Sequence, residues 1–267
     1  MNTWSLSNVK EVLAFPFKDP RWLTKFLIAL LVMLAGFIVP ILPGFLLVGY
    51  AARITRRITN GDGVAALPEW DNWGDMFMDG LRLSVARFIY SLPVILLLIV
   101  SMGFIFVPTM MMGAMDDPNF DGGAAMFMML SYFVSIGIMV FLGSLLELFV
   151  APMSAHVVAS RKLGAAFEFK TWWSILKANL AGFVLVFVIV LGIGQIAGLI
   201  STGMIYTCCL ICLAPIVIPA VSFYTSAVTA AINGKAYREG AELAGVVIGP
   251  DVVVSVDEPE VPAITAE

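Results

Sequence analysis

The chain has 267 residues, of which 60% are hydrophobic and only 13% are charged. A soluble domain is nearer half apolar and a quarter charged, so this composition excludes an ordinary soluble protein and predicts one embedded in a lipid bilayer. The region from Glu239 onward holds seven acids and no base, so the formal charge of −4 becomes +3 without it (−4 + 7). That small basic excess suits anionic lipid headgroups and gives no argument for a nucleic-acid partner.

Long uncharged runs supply the expected membrane segments, which need about 20 apolar residues each. The run at residues 26–52 contains Pro40 and Pro43, and the run at 178–234 contains glycines at both ends of residues 198–203, so each is expected to form two helices. Residues 88–115 and 122–146 supply one helix each. The sequence therefore predicts an all-α integral membrane bundle with six transmembrane helices.

Basic charge orients these six segments. If residues 26–52 crossed the membrane once, Arg53, Arg56 and Arg57 would lie opposite the earlier lysines, against the positive-inside rule. With a hairpin there, all fifteen lysines and arginines fall on one side. The prediction is a multi-pass protein with both termini in the cytoplasm and residues 115–123 outside.

Three segments rich in aromatic and charged residues precede the pairs of spans, at residues 15–22, 67–75 and 167–173. Such segments are typical of amphipathic helices that lie in the membrane interface. Because indole rings suit the depth of lipid headgroups, Trp70, Trp73, Trp172 and Trp173 are predicted to be interfacial anchors. The pattern indicates either an internal threefold repeat or the ordinary enrichment of aromatic residues at the ends of spans.

Two domains are expected: a membrane domain at residues 1–240, and an acidic, disordered cytoplasmic tail at residues 241–267.

A family resemblance rests on two motifs. The Gly-Tyr-x-x-Arg turn at residues 49–53 and the Pro-Glu-Trp-Asp-x-Trp-Gly segment at residues 68–74 are specific together, and with them the chain resembles the prokaryotic membrane family known as domain of unknown function 4013. The resemblance implies a polytopic protein of a prokaryotic inner membrane. It transfers no activity, cofactor or catalytic residue.

Glu147 is the ionisable residue deepest in a predicted span, where a charge costs about 3 kcal/mol on insertion scales. It is a candidate functional residue that would bind a cation or relay protons, with Gln195 or His156 as companions. The alternative is a structural carboxyl that is protonated or paired with an interfacial arginine.

For the other residues that could carry chemistry, a structural role is favoured over a functional one. His156 is the only histidine, and packing is favoured over a metal or acid–base role. Cys208 and Cys212 share a helical face but have no further ligands nearby. The loop at 117–122 begins like a calcium loop, yet position twelve is Met128 where a glutamate is required. The many methionines fit packing better than Cu(I) binding. No cofactor or metal is predicted.

Gly194 and Gly198 are four residues apart and remove the side chains from one face of the fifth predicted span. The motif predicts close helix packing, either within this chain or against a partner protein.

Function is predicted by elimination. The signatures H-E-x-x-H, G-x-S-x-G and G-x-x-x-x-G-K-[ST] are absent, so an enzyme is not expected, and the one alternative left open is an intramembrane enzyme that uses Glu147. The preferred hypothesis is an accessory or structural subunit that packs against other membrane proteins, because the spans contain few polar groups to line a path. The alternative is a carrier or permease-like protein for a small or lipid-like molecule that uses Glu147.

Overall fold

The computed structural model describes residues 6–36, 38–62, 66–114, 122–207 and 210–247. Regular structure within these ranges is helical, without a strand. The α-helices are α1 Leu6–Lys18, α2 Trp22–Ala35, α3 Leu42–Thr59, α4 Trp73–Ala114, α5 Gly122–Ser160, α6 Phe169–Ala178, α7 Leu180–Tyr206 and α8 Ala214–Ala244, and 3-10 turns occupy Leu163–Phe167 and Ile211–Leu213. The predicted all-α class is confirmed.

The chain consists of two compact units. The first contains Met1–Ala86 and Ala151–Glu267, and the second contains Arg87–Val150. Within the first unit α8 is central, because it packs against α1, α2, α3, α6 and α7. Alanine and glycine on several faces of α8 let these neighbours approach, since small side chains keep helix axes close. The second unit consists of the adjoining parts of α4 and α5.

Four helical stretches are long and apolar enough to cross a membrane: Trp73–Gly103, Met129–Ser160, Leu180–Tyr206 and Ile211–Ala244. The two helices of the first predicted hairpin do not meet this description. Helix α2 has 14 residues, or about 21 Å at 1.5 Å per residue, against a hydrocarbon core of about 30 Å. Helix α3 is longer but carries three arginines near its end. Four of the six predicted spans are thus supported by length and composition.

The turn between α2 and α3 is apolar and well exposed: Ile38 is 84% exposed and Ile41 72% exposed. Its backbone is nevertheless largely satisfied. The N–H groups of Ile38 and Val39 both donate to Ala35 O, at 3.0 and 2.9 Å, and Leu42 N donates to Pro40 O at 3.1 Å. Prolines at 40 and 43 have no N–H to satisfy.

The helices of the chain fall into three successive sets, each with a surface segment followed by two helices. Among the side-chain hydrogen bonds that connect one set to another, three follow the same pattern. Tyr50 OH donates to Pro68 O at 2.8 Å, Tyr224 OH donates to Leu13 O at 3.0 Å, and His156 Nε2 lies 3.0 Å from a Glu168 carboxylate oxygen. In each case the second helix of a set holds the surface segment of another, which agrees with the hypothesis of a threefold internal repeat.

The expected helix at residues 67–75 needs correction. Helix α4 begins only at Trp73, and residues 67–72 have no helical structure. The carbonyl groups of Leu67 and Pro68 accept hydrogen bonds from Lys25 and Tyr50. These two carbonyl groups therefore accept tertiary hydrogen bonds, whereas in a helix they would accept from backbone N–H groups of the same segment. Trp70 and Trp73 consequently do not share one helical face.

Candidate functional site

The two sequence motifs that carry the family resemblance contact each other. Tyr50, on α3, donates its hydroxyl hydrogen to Pro68 O, and its ring stacks on Trp70 with 4.3 Å between ring centroids and 19° between planes. We call Gly49, Tyr50 and Arg53 together with residues 67–72 the motif cluster. The stacking and the hydrogen bond fix the extended segment against α3.

Arg53 fixes the other end of the same segment. Its guanidinium pairs with the Asp71 carboxylate and also donates to Glu69 O at 3.3 Å and Asn72 O at 3.0 Å. A planar guanidinium suits this task because its donors are arranged in a rigid fork. Asn72 then takes a positive φ of 45°, which asparagine tolerates better than most residues. The chain thereby turns into α4.

Gly49 allows α3 to approach the first turns of α4. A Cβ atom at this position would lie 1.8 Å from Met76 O. The reciprocal contact occurs at Gly80, where a Cβ atom would lie 1.8 Å from Phe45 O. The helices therefore meet backbone to backbone, as small residues permit.

A buried ion pair adjoins the motif cluster. Lys25 Nζ lies 2.7 Å from Asp19 Oδ2 and 2.8 Å from Glu69 Oε1, and the side chains of Lys25 and Asp19 are 4% and 2% exposed. Lys25 also donates to Leu67 O at 2.7 Å. Burial on its own raises the pKa of Asp19, but hydrogen bonds from Lys25 and Arg21 N together with the Lys25 charge hold that pKa below its ordinary value.

Asp79 joins α4 to its neighbours through arginines. Its carboxylate lies 2.8 Å from Arg56 and 3.4 Å from Arg82, with Arg161 at 3.9 Å. Arg56 also donates to Val158 O at 3.2 Å. Because Asp79 is buried, this network compensates a carboxylate that would otherwise be costly.

A cavity of about 230 Å³ opens beside the end of α3. Its walls include three guanidinium groups and three carboxylates. The arginines are Arg53, Arg56 and Arg57, and the acids are Asp62, Glu69 and Asp71. The motif cluster therefore forms part of the wall of a charged cavity.

His156 has partners on both ring nitrogens. It is fully buried, with Nδ1 2.6 Å from the Tyr237 hydroxyl and Nε2 3.0 Å from Glu168 Oε2. Tyr237 is fully buried as well, whereas the Glu168 side chain is 48% exposed. This chain of groups connects a buried hydroxyl to the surface and ties α5, α6 and α8 together. The packing role favoured from the sequence fits this geometry.

Glu147 and Gln195 occupy different units and both are exposed. In the part of the chain that the structure describes, neither side chain has a hydrogen-bond or ion-pair partner. Glu147 lies on α5 within a candidate span, and Gln195 lies on α7 within another. The partners of the His156 ring are Tyr237 and Glu168.

The four tryptophans predicted to be anchors occupy different environments. Trp172 is buried and donates to Ala166 O at 3.2 Å, and Trp70 is half-buried and donates to Lys25 O at 3.2 Å. Trp73 and Trp173 are partly exposed. Two of the rings therefore pack within the protein, while an interfacial role for the other two stays a prediction.

Gly194 and Gly198 face open space. A Cβ atom at either position would meet no other atom within 4 Å, so no described helix of the first unit packs on this face. The motif therefore makes no close helix contact within the first unit, and packing against a partner protein stays a prediction.

Several sequence hypotheses fall on residues outside the described ranges. These are the acidic loop at 117–121, Cys208, and the tail beyond Val247. Helix α8 itself continues through Ala244, and Gly245 caps it with a φ of 68°. Cys212 is exposed. Among the described residues no three His, Cys, Asp or Glu side chains form a group that could hold a metal ion.

Sequence reasoning did not single out the buried pair of Lys25 and Asp19, the Asp79 network or the partners of His156. Lys25 and Asp19 are near the start of an apolar run, where charge is commonly assigned to the aqueous rim. Glu168 and Tyr237 are 12 and 81 residues from His156. Spacing along the chain does not reveal such long-range contacts.

Four helical stretches of this length and hydrophobicity indicate an α-helical membrane protein. The family model described as protein of unknown function (DUF4013) matches residues 32–206. The chain belongs to this family, and the resemblance seen in the two motifs is confirmed. No curated protein and no solved structure matches the chain.

Proposed function

We propose that the protein is an accessory or structural subunit whose spans pack against those of another membrane protein. The observation that carries the proposal is the exposure of Glu147 and Gln195 within apolar spans, without partners among the described residues. A carboxyl or amide group in hydrocarbon is costly unless another group hydrogen-bonds to it. A partner span with a basic or hydrogen-bonding side chain would supply that group.

The open glycine face of α7 supports the same proposal. Gly194 and Gly198 lie on either side of Gln195 and leave the backbone accessible to a second helix. In membranes, small residues and interhelical hydrogen bonds drive helix association, because lipid is as apolar as the side chains. A glycine face beside an amide therefore offers both close packing and a specific bond.

A carrier remains the competing hypothesis, and one experiment separates the two. The full chain is purified in mild detergent as the parent, Glu147→Leu, Gln195→Leu and Ser144→Ala forms, and retained proteins and small molecules are identified by mass spectrometry. Ser144 is the matched control on α5, because its hydroxyl bonds only to Val140 O of its own helix.

The subunit proposal expects a stoichiometric protein partner in the parent and in Ser144→Ala. Its yield should fall about threefold to tenfold in Glu147→Leu and Gln195→Leu, since each loses one interhelical polar contact of roughly 1 kcal/mol. Glu147→Leu should leave thermal stability equal or higher. A partner yield unaffected by both substitutions, or a small molecule lost from Glu147→Leu alone, would favour the carrier.

The proposed orientation places both termini and all basic clusters in the cytoplasm of a prokaryotic cell, with the protein in the inner membrane. Six crossings satisfy the charges, and so does a hairpin of α2 and α3 that enters and leaves on the cytoplasmic side. The second arrangement agrees better with the short α2 and with an apolar turn whose backbone bonds are internally made. We therefore favour four full spans and one partly inserted hairpin.

Cysteine labelling in intact cells tests this orientation on a background without native cysteines. An impermeant thiol reagent should fail to label a cysteine at Ile38, which the hairpin keeps in hydrocarbon, and also at Asn60 or Lys235. A cysteine at Asp117 is the positive control. Labelling at Ile38 would restore six crossings, and labelling at Asn60 or Lys235 would refute the orientation.

A further inference from the structure

The cavity beside α3 combines charges of both signs in a way that the packing of the protein does not require. Four of its six charged groups are already compensated: Arg53 pairs with Asp71, Glu69 pairs with Lys25 and Arg21, and Arg56 pairs with Asp79. Their interactions stabilise the motif cluster and leave no net charge there.

Arg57 and Asp62 are different. Both are exposed, and in the described residues neither has an ion-pair partner. They lie close together in the backbone, because Asp62 N donates to Arg57 O at 3.0 Å. The cavity wall thus presents one uncompensated guanidinium and one uncompensated carboxylate, on two residues that a backbone hydrogen bond joins.

This pair of charges selects among ligands by sign. A simple anion would gain the Arg57 contact but would face the carboxylates of Asp62, Glu69 and Asp71. A simple cation would face three guanidinium groups. A ligand with one charge of each sign satisfies both ends, because guanidinium binds phosphate oxygens in a bidentate manner and carboxylates accept from ammonium.

The residues that line the cavity indicate which kind of ammonium group it would bind. Quaternary ammonium ions have no N–H donor and are recognised by aromatic rings that surround them. The described residues that line this cavity include no aromatic side chain, whereas its carboxylates suit an ammonium with three N–H donors. The chemistry therefore favours a primary amine.

From these observations we propose that the cavity binds a phosphoethanolamine group, with the phosphate at Arg57 and the ammonium at Asp62. The site goes beyond the proposed role as a subunit and does not depend on it. The source of the group is either the headgroup of a membrane lipid or a soluble phosphoester. Trp73, whose ring centroid lies 5.5 Å from that of Trp70 in the motif cluster, is 43% exposed and has the character of a residue at headgroup depth.

The test is a titration of the full chain, purified in detergent and stripped of lipid, with short-chain lipids monitored by calorimetry. Dihexanoyl phosphatidylethanolamine should bind at least about tenfold more tightly than the matching phosphatidylcholine or phosphatidylglycerol, because each of these lacks one charge-assisted contact. Equal or tighter binding of phosphatidylglycerol would overturn the proposal.

Two substitutions assign the ends of the ligand. Arg57→Ala should weaken phosphatidylethanolamine and phosphatidylglycerol binding alike, by about tenfold. Asp62→Asn should weaken phosphatidylethanolamine binding but strengthen that of phosphatidylglycerol, since a repulsive carboxylate is removed. The matched controls are Lys170→Ala and Asp75→Asn, which remove exposed charges elsewhere and should change neither affinity more than about twofold.

Unchanged affinities in both cavity variants would also refute the site. Because Arg57 and Asp62 are exposed, their variants should fold, and melting temperatures equal to those of the controls check this. Glycerophosphoethanolamine distinguishes the sources: affinity equal to that of the short-chain lipid identifies a soluble phosphoester, and affinity at least about tenfold weaker identifies a lipid.

Discussion

Gly80→Ala is expected to destabilise the protein by about 3 kcal/mol, the upper end of the usual cost of overpacking, and Gly49→Ala by a similar amount. Each added methyl group would have to occupy a position 1.8 Å from a backbone oxygen, Phe45 O in one case and Met76 O in the other. Because backbone cannot rotate away as a flexible side chain does, the two helices must separate and lose the packing between them. Thermal unfolding in detergent measures the effect.

The same helices supply matched controls. At Gly44 on α3 and Gly74 on α4, an added methyl carbon would have no other atom within 4 Å, so alanine there adds helix propensity without a clash. Gly44→Ala and Gly74→Ala should be as stable as the parent or slightly more stable. If Gly80→Ala has the same melting temperature as Gly74→Ala, the close approach of α3 and α4 is refuted.

Lys25→Met should cost about 3 kcal/mol or more, because it leaves the buried Asp19 carboxylate without its cation. The double variant Lys25→Met/Asp19→Asn removes both charges and should regain much of that loss. A double variant no more stable than Lys25→Met would show that the carboxylate is not the source of the cost.

The same pair gives a pH dependence of defined sign. The pKa of Asp19 is lowered from its ordinary value of 3.8, so its contribution to stability is fully present above that value and is lost as the pH falls through the lower folded pKa. Between pH 5 and pH 3 the parent should therefore lose more stability than Lys25→Met/Asp19→Asn does. Equal losses would contradict this role for Asp19.

Helix content could be predicted because hydropathy acts locally. Uncharged runs of sufficient length identified the helices that contain the four candidate spans, and Pro40 and Pro43 correctly marked the turn between α2 and α3. The lengths of the individual helices were harder to predict, since an uncharged run of 27 residues does not reveal that the first of its two helices has only 14.

Helix packing could not be predicted from glycine spacing alone. Gly194 and Gly198 have the spacing of a packing motif but face open space, whereas Gly49 and Gly80 lie in separate helices and meet at a backbone contact. Close approach requires two helices to bring small residues to one place, and single-helix spacing contains only half of that information.

The contacts within the motif cluster could not be predicted from the sequence either. The two motifs could be recognised as specific, yet nothing in their separate patterns states that Tyr50 stacks on Trp70 or that Arg53 pairs with Asp71. An aromatic and basic motif on one helix, followed by an aromatic and acidic segment, was a signal that could have suggested the contact. Complementary charges and aromatic rings are consistent with a contact between the two motifs. The pairing of particular residues is seen only in the folded structure.

The central position of α8 has a consequence for biosynthesis. Its contacts with α1, α2, α3, α6 and α7 cannot form until the ribosome has made residues 214–244, after every one of those helices. The earlier helices must therefore wait in the membrane with their α8-facing surfaces uncovered, including the face of α3 where Thr55 later donates to Ala230 O. That interval exposes the nascent chain to capture by insertion factors, chaperones or membrane proteases.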